Sequence, residues 1–357
     1  MVQMDSVVRD PLFQLNLVLW LAQPLPKIEG QPLSVLSPNP ILHQHGFSVY
    51  AVAPKLLLPE RLVLKARQSG IPIQPSGRPD VVLQKQNRAF SLVECKASSF
   101  KPADSASKQA RTFLLMAHKD SAEVFGMLPQ QVSDTALAYL LPEPHRKELQ
   151  QTLSELEVEL RQKGFRTGSF TILGLNLQQQ SSELRLIVDK EGHKFFGIPQ
   201  GTHPVLPIQP DTDPRPLYFI PYDPDVDQSQ EERQFCRRIL CERILGAILG
   251  RVGRTKTGST ITVSIDELLS DATLGMFRLW RNRDSAKHLR DICRKIVRSI
   301  GAAIHDTRFT LDGQSRMLSI DLTDTEWHEQ LLRVLERFSC ESMSASPEQQ
   351  PELFEEE

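Results

Sequence analysis

The stretch RPDVVLQKQNRAFSLVECKASS, residues 78–99, decides how this chain is read. Two apolar runs, Val81 to Leu83 and Ala89 to Val93, flank the polar segment QKQNR, which reads as a hairpin turn. With the turn centred near Asn87, Asp80 and Glu94 are equidistant from it and fall opposite each other across an antiparallel pair. Side chains alternate faces along a strand, so Glu94 and Lys96 share a face, roughly 6–7 Å apart. Directly opposed residues share a face as well, at about 5 Å between Cβ atoms. The hairpin therefore gathers two carboxylates and one ammonium at one spot.

Like charges that close repel unless a cation sits between them or one is protonated. Hard carboxylate oxygens suit Mg²⁺, which takes one or two carboxylates together with waters and substrate phosphates. A neighbouring ammonium can orient an attacking water and offset charge developing on the phosphoryl group. These parts fit metal-assisted phosphodiester hydrolysis.

Pro79-Asp80 followed by Glu94-Cys95-Lys96 resembles the PD-(D/E)xK signature of restriction-endonuclease-like nucleases. The resemblance implies Asp80 and Glu94 as ligands of Mg²⁺ (or Mn²⁺) and Lys96 as the residue that positions or activates the water. It also implies a hairpin backed by a helix, and cleavage that leaves a 5′-phosphate and a 3′-hydroxyl. Some branches of the family add a QxxxY pattern on the next helix; here Gln109 matches, but Phe113 replaces the tyrosine. Other branches add a glutamate before the hairpin, for which Glu60 is the candidate, although an acid at a helix start is favoured by the macrodipole alone.

Working outward, Ser105 to Met127 reads as an amphipathic helix, Thr135 to Leu141 as a strand, and Pro144 to Lys163 as a helix stopped by Gly164. Two more strands are expected at 169–177 and 183–189. The expected fold class is α/β, a restriction-endonuclease-like mixed sheet flanked by helices, over residues 1–197. Prolines recur through 198–229 without an apolar period, so this stretch reads as a semi-rigid linker, with PLYFIPY docked on a neighbouring surface.

Residues 230–323 read as a second, smaller domain: helix, strand TITVS, two helices, then two strands around Asp312-Gly313. That order resembles a winged helix-turn-helix. Its third helix carries the apolar stripe Leu289, Ile292, Cys293, Ile296, Val297 and Ile300, with Lys287, Arg290, Arg294 and Arg298 on another side. From Arg278 to Arg298 eight basic residues stand against two acids, a charge that would supply the counterion-release part of DNA binding. Neither Asn nor Gln lies on the helix beyond Asn282 at its approach, so no base-specific readout is evident. A C-terminal helix over 324–341 and an acidic, disordered tail over 342–357 complete the expected layout.

The net charge of −2 excludes a histone-like polycation, and no run of 18 apolar residues predicts a membrane span. The apolar run Leu15 to Ala22 lacks a basic flank and reads as a core helix or strand rather than a signal peptide. Five cysteines without a CxxC pair read as reduced thiols in a cytoplasmic protein, with Cys95 turned away from the site into packing. His43 and His45 have no third ligand at useful spacing and read as ordinary polar residues.

The function expected from these features is a Mg²⁺-dependent DNA endonuclease. Restriction, phage defence or mobile-element processing are the settings, and the endonuclease subunit of heteromeric transposases is similar in domain order. DNA is the expected partner, with a protein partner subunit or a homodimer controlling cleavage. Two alternatives stay open at this stage: a non-catalytic DNA-binding or assembly subunit on a nuclease-like scaffold, and an RNA-directed nuclease.

Overall fold

The structure, a computed structural model, describes residues 7–25, 37–86, 88–178, 182–208, 213–226, 228–312 and 316–340. The turn residue Asn87, Gly313 and the tail over 342–357 lie outside the described residues. The chain divides into two compact units, Met1–Pro214 with Leu279–Asn282, and Arg215–Arg278 with Arg283–Glu357.

The first unit opens with helix α1 (Pro11–Ala22). Asp10 caps it by accepting from the Leu12 N–H at 2.9 Å, and Pro11 occupies the first turn, where a missing N–H costs nothing. Every residue from Leu12 to Ala22 is buried, so the apolar run here is a core helix. The elements that follow are α2 (Ile41–Gln44), β1 (Phe47–Val52), β2 (Leu56–Leu57), α3 (Glu60–Ser69), β3 (Ser76–Gly77), β4 (Val81–Lys85) and β5 (Ala89–Cys95). After them come α4 (Ser105–Met116), β6 (Asp134–Pro142), α5 (Arg146–Gln162), β7 (Ser169–Gln178), β8 (Glu183–Val188), α6 (Lys190–Phe196) and β9 (Gly201–Pro207).

Among the described residues seven of these strands form a mixed sheet in the order β1-β4-β5-β6-β7-β8-β9, while β2 and β3 pair with each other in a separate antiparallel ribbon. The β5-β6 and β6-β7 pairs at its centre are parallel, and the flanking pairs are antiparallel. Helices α4 and α5 cover one face, meeting Val82, Phe90, Leu92, Leu137 and Tyr139 in a shared apolar core. Helix α1 packs on β1, β4 and β5, and α6 on β7 and β8. The fold is thus α/β, a mixed sheet flanked by helices.

Helix α4 is shorter than its periodicity predicts, ending at Met116 before a 3₁₀ segment at Lys119–Phe125. Its last carbonyls are claimed from outside: Leu114 O accepts the Gly168 N–H at 2.8 Å, and Ala117 O accepts the Thr135 hydroxyl. Only glycine fits at position 168, because a Cβ there would stand 2.0 Å from Ala117 O.

The expected linker over 198–229 is corrected. Gly201–Pro207 is an edge strand paired with β8, a position that tolerates proline because one side of the strand needs no donors. Pro204 lies opposite Arg185, where the register shifts. Tyr218, Phe219, Ile220 and Tyr222 of the PLYFIPY piece are buried. Within the second unit Arg237 donates to the Tyr222 hydroxyl at 3.1 Å, and Arg243 donates to Pro216 O at 2.7 Å.

The second unit contains α7 (Gln230–Arg254), β10 (Thr260–Ser264), α8 (Ile265–Ala272), α9 (Arg283–Ile304), β11 (Phe309–Leu311), β12 (Met317–Asp321) and α10 (Thr325–Arg337). Its sheet order is β10-β12-β11, antiparallel throughout. Ser229 and Glu232 form a capping box at the start of α7, and Ser264 and Glu267 form another at α8. The cysteines are not all reduced thiols: Cys241 and Cys340 form a disulfide with Cα atoms 5.9 Å apart, while Cys95, Cys236 and Cys293 are in no disulfide among the described residues. A bridge across 99 residues contributes about 5 kcal/mol in the chain-entropy view. Reductant or Cys340→Ser is expected to lower the melting temperature of the full chain, which calorimetry with and without dithiothreitol would read. Among the described residues no helix is long and apolar enough to cross a membrane.

Candidate active site

The β4–β5 ladder pairs Val81 with Val93, so the residues next in line are Asp80 and Glu94. Even-numbered positions of β5 point into the core under α4, and Glu94 follows Phe90 and Leu92 onto that face. It is only 4% exposed, whereas Asp80 and Lys96 are half-buried. Asp80 Oδ2 accepts from the Cys95 N–H at 2.6 Å, and Glu94 Oε1 accepts from Lys96 Nζ at 2.8 Å. Glu94 Oε2 is buried and has no hydrogen-bond partner among the described residues. Asp80, Glu94 and Lys96 are therefore brought together.

The electrostatics follow from that burial. Desolvation pushes the Asp80 carboxyl up, opposed by the Cys95 N–H, by Lys96 and by the Cys95 thiol. Glu94 is pushed up to about 8, first by burial and then by the charge of Asp80, with Lys96 opposing both. Burial works against the Lys96 ammonium, but Glu94 and Asp80 outweigh it and leave its pKa raised. When both acids are ionised they leave a surplus of negative charge over the one ammonium, which a divalent cation would neutralise in place of the proton that Glu94 holds.

No set of three or more His, Cys, Asp or Glu side chains among the described residues is arranged to hold a metal. The donor set is two carboxylates, one with a free buried oxygen. This suits a hard cation such as Mg²⁺, which completes its shell with water and phosphate oxygens.

Cys95 differs from its expected place. It is half-buried rather than sunk in packing, and burial and the charges of the two carboxylates push its pKa up. Tyr139 was not singled out from the sequence. The parallel β5–β6 register sets it beside Glu94, fully buried, with its phenol pKa raised by burial and by the charges of Glu94 and Asp80. Finding it would have required knowing that TALAYLL pairs with the second hairpin strand.

Gln109 lies half-buried on α4 and makes no hydrogen bond or ion pair to Asp80, Glu94 or Lys96 among the described residues. Phe113, at the tyrosine position, is a core residue: a Cβ on Gly77 would stand 2.4 Å from its ring. Glu60 is the exposed first residue of α3 and is likewise not bonded to the three.

On α9 the buried stripe includes Leu289, Cys293, Ile296, Val297 and Ile300. Arg290 is engaged, its guanidinium donating to Asp266 at 2.7 and 3.0 Å and lying over the Phe277 ring at 5.2 Å. Arg294 donates to Asp291 at 2.7 Å. Lys287, Lys295 and Arg298 are exposed and carry no ion pair among the described residues. Comparison with models of protein families, with curated proteins and with solved structures finds no match to this chain.

Proposed function

We propose that this chain is a divalent-metal-dependent endonuclease that hydrolyses phosphodiester bonds of DNA, with Asp80, Glu94 and Lys96 as its reactive centre. The observation that carries the reading is the meeting of two carboxylates and an ammonium at one largely buried point, with one Glu94 oxygen left unpaired. The surrounding topology supports a restriction-endonuclease-like core. Strands β1, β4 and β5 lie side by side and antiparallel, and α4 leads from them to β6, which runs parallel to β5.

Asp80 and Glu94 would hold Mg²⁺ or Mn²⁺, which when bound acidifies a water and offsets charge at the phosphate. The protein's own groups do the positioning. The Cys95 N–H aims the Asp80 carboxylate, and Lys96 keeps its proton and stays tethered to Glu94. A protonated amine at this point donates hydrogen bonds to the attacking oxygen and favours its hydroxide form. Tyr139 and the core around it exclude bulk water from the inner side of Glu94.

The second unit supports duplex binding. Its order of helix, strand, two helices and two strands, with β10 pairing β12, fits a winged helix-turn-helix whose third helix is α9. The free cations of that helix, Lys287, Lys295 and Arg298, are better candidates for phosphate contacts than Arg290 and Arg294, whose charges are already matched.

Supercoiled plasmid incubated with the purified chain should be nicked only when Mg²⁺ or Mn²⁺ is present. Lys287→Glu with Arg298→Glu should weaken DNA association and flatten its salt dependence by about two counterions. Plasmid left intact under all metal conditions would remove the enzyme reading, and faster cutting of single-stranded RNA than of duplex would change its substrate.

A further inference from the structure

Helix α1 is apolar along its length except for Gln14 and Asn16, and Gln14 is fully buried. Its amide nitrogen donates to two carbonyls, Val8 O at 2.8 Å and Lys96 O at 2.9 Å. The amide oxygen has no partner among the described residues. A half-satisfied amide in a core is costly, so the carbonyls it serves matter.

The Lys96 carbonyl needs that donor for a reason visible in the ladder. Strand β5 runs parallel to β6 with Cys95 opposite Leu140, and the Lys96 N–H duly donates to Leu140 O at 2.9 Å. In this register the Lys96 carbonyl would take its hydrogen bond from the N–H of residue 142. Residue 142 is proline and has none. Beyond this point the antiparallel partner β4 has also ended, since its last paired residue is Val81, opposite Val93.

We propose that Gln14 is a positioning residue for Lys96. It supplies the hydrogen-bond donor that Pro142 withholds, and so fixes the end of β5 from which the ammonium reaches Glu94. The inference rests on the reading of Lys96 as the amine of a nuclease centre. Gln14 touches neither carboxylate, so it acts on the amine without adding a ligand.

The test uses the full chain labelled with ¹³C,¹⁵N-lysine, with the Lys96 side-chain signal assigned by its loss in Lys96→Ala. In Gln14→Met, which keeps the shape and removes the donor, this signal should move toward those of the exposed lysines. The nicking rate should fall about tenfold or more, with KM changed less than about twofold. In the Lys96→Ala background Gln14→Met should cost nothing further. Adding Pro142→Ala to Gln14→Met restores a backbone N–H and should return both signal and rate. Should Gln14→Met not fold, Gln14→Asn, too short to reach Lys96 O, is read the same way. A Lys96 signal unmoved in these variants would overturn the proposal. Absence of nicking by every protein, wild type included, would instead sink the nuclease reading, with the signal still deciding the role of Gln14.

Discussion

Replacing Glu94 by glutamine is expected to stabilise the metal-free protein at pH 8 while removing its response to magnesium. The folded protein holds the Glu94 carboxyl up to about 8, through burial and the charge of Asp80, against an ordinary value of 4.5. Between those two values the unfolded chain releases a proton that the folded chain retains. Stability from this group is therefore full below about pH 4.5 and is lost as pH rises toward 8. Carboxylates with lowered pKa, such as Asp306, lose their contribution only in more acidic solution, outside this window. Over the whole window the loss amounts to a few kcal/mol, or on the order of 5–10 °C in melting temperature for a chain of this size. Glutamine at 94 still accepts from Lys96 but cannot ionise, so the variant should melt with wild type at pH 5 and above it at pH 8. Saturating Mg²⁺ should raise the wild-type melting temperature most at pH 8 and leave the variant where it was. Parallel pH profiles for the two proteins would show that Glu94 does not carry the site's surplus charge.

The hairpin was legible because its information is local. Apolar runs spaced evenly about Asn87 fix the register, and the register alone carries Asp80 to Glu94. The strands at Asp134–Pro142, Ser169–Gln178 and Glu183–Val188 were legible for the same reason, each a continuous apolar or alternating run between polar turns. What escaped depends on partners distant in the chain. Gly201–Pro207 looks like a linker until β8 supplies an edge on which prolines are harmless. Arg290 looks like a DNA contact until α8 brings Asp266 against it. Cys241 and Cys340 give no spacing signal across 99 residues. Gln14 sits in an apolar helix 82 residues from the carbonyl it serves, and the proline that creates the need lies on a third segment.

Lys96→Ala should give the largest loss of activity and the clearest separation of roles. Its ammonium, 2.8 Å from Glu94 Oε1, also faces the charge of Asp80. If Lys96 is the donor to the attacking oxygen, as proposed, nicking should fall by at least about a hundredfold on its removal. Removal also takes the counter-charge from the Asp80–Glu94 pair, which destabilises the metal-free chain by on the order of 3 kcal/mol where those acids are ionised. A divalent cation then no longer competes with an ammonium for the same carboxylates, so Mg²⁺ should bind the variant more tightly and restore most of the lost stability. The variant is thus expected to melt early without metal, to melt near wild type with it, to bind DNA as wild type does, and to cut at only the residual rate. Lys96→Gln, which retains a neutral donor, should recover part of the rate. A Lys96→Ala protein that nicks plasmid at the wild-type rate would reduce Lys96 to a partner of Glu94 and nothing more. Weaker Mg²⁺ binding by the variant would count equally against two carboxylates and an ammonium sharing one cation site, because removing a positive charge from such a site can only make it more attractive to a metal.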